Sequence, residues 1–203
     1  DNSRPILKRA DVICVGEALL DCIAEPGTEN LPLRDIVSSG RFEDFPGGAV
    51  CNVACALSRL GVRSMFCGAL GADAAGDELE NLLHRLKVET LCPRLDLRPT
   101  RRVMVTRTPG GDRAFSGFWD NQPSSAFADC FFQPPIAASW VRDSASLAVV
   151  MGTLGLAHGP TSDFMRDVKT AMMSRATASD DSHPLLLVDL NVRDVFFQGS
   201  PAF

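Results

Sequence analysis

FPGGAVCNVACALSRLGVRSMFCGALG, residues 45–71, is the stretch whose reading decides the fold. After Gly47 and Gly48, the residues Val50, Val53, Ala54 and Leu57 recur at the i, i+3, i+4, i+7 spacing of one helix face, and Gly61 stops the helix. Val62 to Leu70 then reads as a strand closed by Gly71. On the amino-terminal side, DVICVG at Asp11–Gly16 is a short apolar run of the kind that forms a parallel strand buried on both faces, and Glu17 and Asp21 follow it. On the carboxyl-terminal side, Leu79, Leu82, Leu83 and Leu86 repeat the helical spacing. Asp77 and Glu78 lie near that helix start and Arg85 and Lys87 near its end, as the macrodipole prefers. Strand and helix alternate, which predicts an α/β domain around a parallel sheet.

Two segments break the alternation. From Glu25 to Phe45 the pattern loosens into Pro, Gly, Ser and isolated apolar residues, an excursion from the main sheet. From Arg102 to Phe118, VMVTRT, the turn Pro109-Gly110-Gly111-Asp112 and RAFSGF read as a β-hairpin, a candidate lid. Alternation resumes with a buried strand at Ser146–Met151, a helix capped by Thr161, Ser162 and Asp163, and a last strand at Leu185–Leu190. The linker-like stretch is Ala176–His183.

The 203 residues, 45% hydrophobic and 22% charged, suffice for one substantial core. A net charge of -5 offers no basic field for a phosphate backbone, so direct nucleic-acid binding is not expected. No apolar run approaches the ~20 residues that cross a bilayer, and Asp1–Arg9 lacks a signal-peptide pattern, so no membrane association is expected. Seven cysteines, mostly among apolar neighbours, fit buried thiols in a reducing intracellular compartment. Cys51 and Cys55 share a helix face, yet no second pair or nearby His completes a zinc set, so no metal site is assigned.

Asp21, just past the first strand, stands where open α/β sheets place ligands. Its carboxylate suits two hydroxyls of a polyol, and equally suits a solvated loop. Gly47 and Gly48 let the backbone approach a ligand and aim free N–H groups at it, and Asn52 in the first helical turn can donate and accept; a simple turn is the alternative. His84, His158 and His183 are scattered and read as structural. Phe118 and Trp119 read either as sugar-stacking rings or as packing within the hairpin.

Five features then fall in one order: VGEALLD (residues 15–21), the GG-x-x-x-N of Gly47, Gly48 and Asn52, Gly61 followed by Gly71, the Gly-Asp-Arg of residues 111–113, and VDLNVR (residues 188–193). In sequence and spacing the chain resembles the ribokinase (pfkB) family of sugar kinases, nearest the fructokinases, over almost its whole length. The resemblance implies one ribokinase-like domain over residues 1–203, a three-layer α/β/α sandwich with a small β-sheet lid from about residues 22–45 and 102–118. It implies that Asp21, Gly47, Gly48 and Asn52 hold a sugar, that Asn191 and Arg193 lie towards the transferred phosphate, and that ATP and Mg²⁺ serve the full-length protein. Apart from the resemblance, an isolated two-stranded ribbon is marginal, so the 102–118 hairpin is expected to pack either against the segment before Gly47 or against the same hairpin of a second copy, a homodimer through the lid.

The chain departs from the fructokinase pattern at Val50, where a proline is usual, at Trp119-Asp120, where an aromatic-Arg pair is usual, and at Leu190 within the late Asp-Pro-Asn motif. The acidic Asp120 in place of a cation favours a neutral sugar. The family's second signature, a GAGD-like turn holding the anion hole and catalytic Asp, has no counterpart before Phe203. No catalytic residue is therefore assigned, the nucleotide-binding part is read as absent, and the chain alone is expected to be inactive. Two readings follow: a kinase of fructose or a similar neutral sugar, or a catalytically inactive fructokinase-like scaffold subunit of a larger complex, as in plastid transcription. Either belongs in the cytoplasm or the plastid stroma.

Overall fold

The computed structural model describes residues 10–174 and 184–192. Along the chain run β1 (Ala10–Val15), β2 (Leu19–Ala24), α1 (Leu33–Ser39), β3 (Phe42–Gly47), α2 (Ala49–Arg59), β4 (Ser64–Cys67), β5 (Leu70–Gly71), α3 (Ala74–Arg85), β6 (Glu89–Leu91), β7 (Arg94–Leu95), β8 (Arg102–Arg107), β9 (Arg113–Phe118), α4 (Ala138–Ser144), β10 (Ala145–Gly152), α5 (Gly159–Met173) and β11 (Leu185–Asp189).

Five of the strands form an all-parallel sheet in the order β11-β10-β1-β4-β6. β1 lies at its centre, and its residues are apolar at consecutive positions because both faces are covered. Ile13 and Val15 join Met65, Val149, Val141 of α4 and Met165 of α5 in one core. Val12 and Cys14, pointing the other way, join Phe66, Val150, Ala54 of α2 and Leu83 of α3 in a second. The period of two that alternates side chains across a strand thus separates two apolar cores, and the result is a three-layer α/β/α sandwich.

A second sheet has the order β3-β2-β8-β9. β2 pairs antiparallel with β3 and parallel with β8, and β8 forms an antiparallel hairpin with β9. The 102–118 hairpin therefore lies outside the parallel sheet. Leu20, Cys22 and Met104 from one face of this small sheet enter the α2 and α3 core, which fixes the sheet to the domain.

Three local expectations are corrected. The strand read over Val62–Leu70 is two strands, because β4 ends at Cys67 and the short β5 pairs with β7 instead. Gly68 lies in that break, where a Cβ would come 2.5 Å from the Gly16 carbonyl oxygen. Second, Thr161, Ser162 and Asp163 do not cap a helix. They lie inside α5, whose N-cap is His158. The Thr161 hydroxyl donates to the Asp129 carbonyl at 2.6 Å and accepts from the Phe132 N–H at 2.8 Å, while Ser162 donates to the Leu156 carbonyl at 2.9 Å. Third, α3 begins earlier than Asp77 and Glu78 suggest, at an N-cap Asp73 whose carboxylate accepts from the Gly76 N–H at 2.8 Å. The expected linker 176–183 lies outside the described residues. Among the described residues no helix is long and apolar enough to cross a membrane.

Candidate functional site

Following β1, the chain builds β4 and β6 to one side of it, then returns to build β10 and β11 on the other. The carboxyl ends of β1 and β10 therefore bound a topological switch point, the crevice in which open α/β sheets bind ligands. A cavity of about 650 Å³ occupies that crevice, a size suited to a small molecule. The small sheet forms its wall: Leu19, Asp21 and Ile23 of β2, Val103 and Val105 of β8, and Phe115 of β9 line it at alternate positions, as one face of a pleated sheet must.

Asp21 is half-buried and lines the cavity. It does not follow the first strand as a loop residue; it sits within β2, opposite Phe45 of β3, so its direction is set by sheet register. Gly47 adjoins it, since a Cβ at Gly47 would lie 2.6 Å from Asp21 Oδ2. Gly48 has φ of 94°, and a Cβ there would lie 2.6 Å from the Glu17 carbonyl oxygen, so both conformation and space require glycine. Gly48 is the N-cap of α2 and has no side chain to offer. Glu17 does that work from a distance: its Oε1 accepts the Ala49 N–H at 3.0 Å. Asn52, in the next turn, is exposed and lines the cavity beside Gly48.

Asp189, the last residue of β11, and Asn191 just beyond it also line the cavity. Asp21, Gly48, Asn52 and Asn191 thus face one space, with Gly47 shaping it through Asp21; Arg193 lies outside the described residues. Lining residues that the sequence did not single out for the site include Glu17, Thr153, Arg113 and Phe115. The signal available for the first two was position, since each follows the carboxyl end of an apolar strand.

Glu17 is 3% exposed. Burial lifts its carboxyl to about 7, aided by the nearby negative Asp129 and opposed by its backbone hydrogen bonds. Behind it lies a buried ion pair in which Arg101 Nε donates to Asp129 Oδ2 at 2.8 Å, with the guanidinium over the Phe118 and Phe127 rings at 5.1 and 4.7 Å. Phe118 is therefore packed within this cluster. Trp119 packs edge-on to Phe42 and under Arg102, 3.8 Å from its ring centroid, so neither aromatic is part of the cavity lining. His84 lies in the last turn of α3 and His158 caps α5, neither at the cavity; His183 lies outside the described residues. All seven cysteines are free thiols, Cys51 and Cys55 among them. Among the described residues no group of three or more His, Cys, Asp or Glu side chains could hold a metal ion.

Residues 9–195 match the pfkB family of carbohydrate kinases. The chain belongs to that family. Curated relatives of this pfkB chain include probable fructokinase-5 of Arabidopsis thaliana, 31% identical over 185 residues, which are 90% of this chain and 51% of that one. Probable fructokinase-6, chloroplastic, of the same plant is 31% identical over 90% of this chain and 43% of its own. The pfkB chain thus spans about half the length of these relatives. Among solved structures, an uncharacterized sugar kinase from Pyrococcus horikoshii superposes with a TM-score of 0.68 at 26% identity, over 93% of this chain and 55% of that one. Fructokinase from Halothermothrix orenii, at 22% identity and a TM-score of 0.71 over 92% and 59%, shares the fold.

Proposed function

We propose that the full-length protein transfers the γ-phosphoryl group of ATP to a hydroxyl of fructose or a similar neutral sugar. The observation that carries this reading is the convergence of Asp21, Gly48, Asn52 and Asn191 on one cavity at the switch point of a pfkB-family fold. In it, Asp21 accepts hydroxyl hydrogens, Gly47 and Gly48 leave room for the sugar against the backbone, Asn52 donates and accepts, and Asn191 with Arg193 stands towards the phosphate. Neutrality of the sugar follows from charge. Asp21 and Asp189 place two carboxylates on the cavity against one guanidinium, Arg113, and Glu17 adds a carboxyl group held near 7, a balance that opposes a phosphorylated sugar.

The small sheet acts in this reading as a lid, whose closure keeps water from competing for the phosphoryl group. Its edge strands β3 and β9 carry unpaired backbone groups suited to a second copy, which supports a homodimer through the lid. Among the described residues no group of three or more His, Cys, Asp or Glu side chains is placed to hold the Mg²⁺. Residues 1–203 alone are proposed to be inactive. A cytoplasmic or stromal location is proposed, and a chloroplastic relative supports the second.

The test is ADP release by the full-length protein with ATP, Mg²⁺ and a sugar panel that includes fructose and fructose 6-phosphate. Fructose-dependent release that Asp21→Ala abolishes is the expected outcome. Sugar binding without ADP release supports the scaffold reading, and preference for the phosphorylated sugar overturns the charge argument.

A further inference from the structure

The cavity lining includes two polar side chains, each with an oxygen that nothing in the fold accounts for. Glu17 and Thr153 are each 3% exposed, both line the cavity, and Glu17 Oε2 and Thr153 Oγ1 have no hydrogen-bond partner among the described residues. Buried polar atoms are almost always paired, and of the unpartnered ones among the described residues, which include Asp44 Oδ1, Arg102 Nε and Asp129 Oδ1, these two belong to residues that line the cavity. They occupy equivalent positions. Val15 and Met151 are register partners in β1 and β10, Glu17 follows Val15 by two residues, and Thr153 follows Met151 by two. Both orphans therefore stand at the switch point between the two strands.

The cap of α2 explains half of Glu17 and no more. Oε1 accepts from Ala49, while Oε2 is left over. Gly152 borders that second oxygen: a Cβ there would lie 3.1 Å from Oε2 and 2.6 Å from Val50 Cγ2. Glycine at this position, between Glu17 and Val50, leaves the carboxyl group its place on the cavity.

We propose that Glu17 and Thr153 are a second polar anchor on the cavity lining that takes one hydroxyl of the bound sugar. A hydroxyl donates once and accepts twice, and the pair matches it: Glu17 Oε2 accepts its hydrogen and Thr153 Oγ1 donates to its oxygen. The anchor also discriminates. A site built to hydrogen-bond a hydroxyl rejects the analogue that lacks it, because its buried groups are then left unpaired. The inference rests on the sugar-kinase reading and adds to it the residues that recognise one particular hydroxyl.

The experiment is calorimetric titration of the full-length protein with fructose and its monodeoxy analogues, in wild type, Thr153→Val, Glu17→Gln and Glu17→Ala. Thr153→Val keeps the volume and removes the hydroxyl, and Glu17→Gln keeps the acceptor for the Ala49 N–H, so neither depends on tolerating a cavity. One analogue should bind wild type at least about tenfold more weakly than fructose. Against Thr153→Val and Glu17→Ala that same analogue should lose little further, while the other analogues keep their wild-type ratios. Glu17→Gln should bind fructose more tightly than Glu17→Ala. Variants that weaken every ligand by the same factor would show that the pair only supports α2, and unchanged affinities would show that it touches no ligand; either overturns the proposal. If wild type binds no sugar, the sugar-kinase reading fails, and this inference with it.

Discussion

Gly47 and Asp21 compete for one space: a Cβ on the glycine would sit 2.6 Å from the Asp21 Oδ2. Gly47 has no positive φ, so its need for glycine comes from the carboxylate beside it. Gly47→Ala should displace Asp21 and weaken fructose binding in the same direction as Asp21→Ala, whose cost is about 1.5–3 kcal/mol for a charge-assisted hydrogen bond. Titration calorimetry on the full-length variants measures both. Gly47→Ala binding as tightly as wild type would show that the two residues are not coupled.

Gly48 differs, because its constraint is conformational as well as steric. Gly48→Ala combines a φ of 94° with a contact to the Glu17 carbonyl oxygen, and should cost about 1–3 kcal/mol of stability. Thermal melting should register the loss before any ligand is added.

Glu17 makes stability depend on pH. Its carboxyl is held near 7 in the fold against an ordinary 4.5, so below 4.5 folded and unfolded chains both carry the proton. Between 4.5 and 7 only the folded chain keeps it, and stability therefore falls as pH rises through that window, by about 3 kcal/mol when complete. Denaturant unfolding from pH 4.5 to 8 should show a decline in wild type that is reduced in Glu17→Gln.

Arg101 and Asp129 form an ion pair buried to 0% and 3% side-chain exposure. Asp129→Ala leaves the guanidinium uncompensated among the Phe118 and Phe127 rings and should cost about 3–5 kcal/mol, read by urea unfolding. Leu83→Ala, in the core between α3 and the parallel sheet, removes apolar volume only and should cost about 2–5 kcal/mol.

The parallel sheet was legible because β1, β4 and β10 are apolar runs with both faces covered, and α2 and α3 announce themselves by spacing. Asp21, Gly47, Gly48 and Asn52 could be named from local chemistry and from the family motif. Their grouping could not, because Asp21 reaches the cavity through its pairing with β3 and β8, a long-range register that local pattern does not encode. Thr153 was hidden for a similar reason: a threonine after an apolar strand looks like any turn residue until the neighbouring strand places Glu17 beside the same cavity. The polar run Thr161-Ser162-Asp163 misled because Thr161 spends its hydroxyl on the distant Asp129 carbonyl and Ser162 on Leu156 in the preceding turn, where sequence reasoning expects caps on the helix itself.

The parallel pairing of β2 with β8 has a consequence for how the chain assembles. Leu20 finds its partner in Arg102, 82 positions later (102 minus 20), so the small sheet cannot close until that length of polypeptide has been made. At roughly 5–20 residues per second, synthesis alone imposes a wait on the order of 4–16 s, during which β2 and β3 have only each other. Contacts so distant in sequence also form slowly, since loop closure must precede any gain. The cavity wall is then a late event in maturation, and the nascent β2–β3 ribbon, with Phe45 on its surface, is the segment a folding chaperone would most usefully shield.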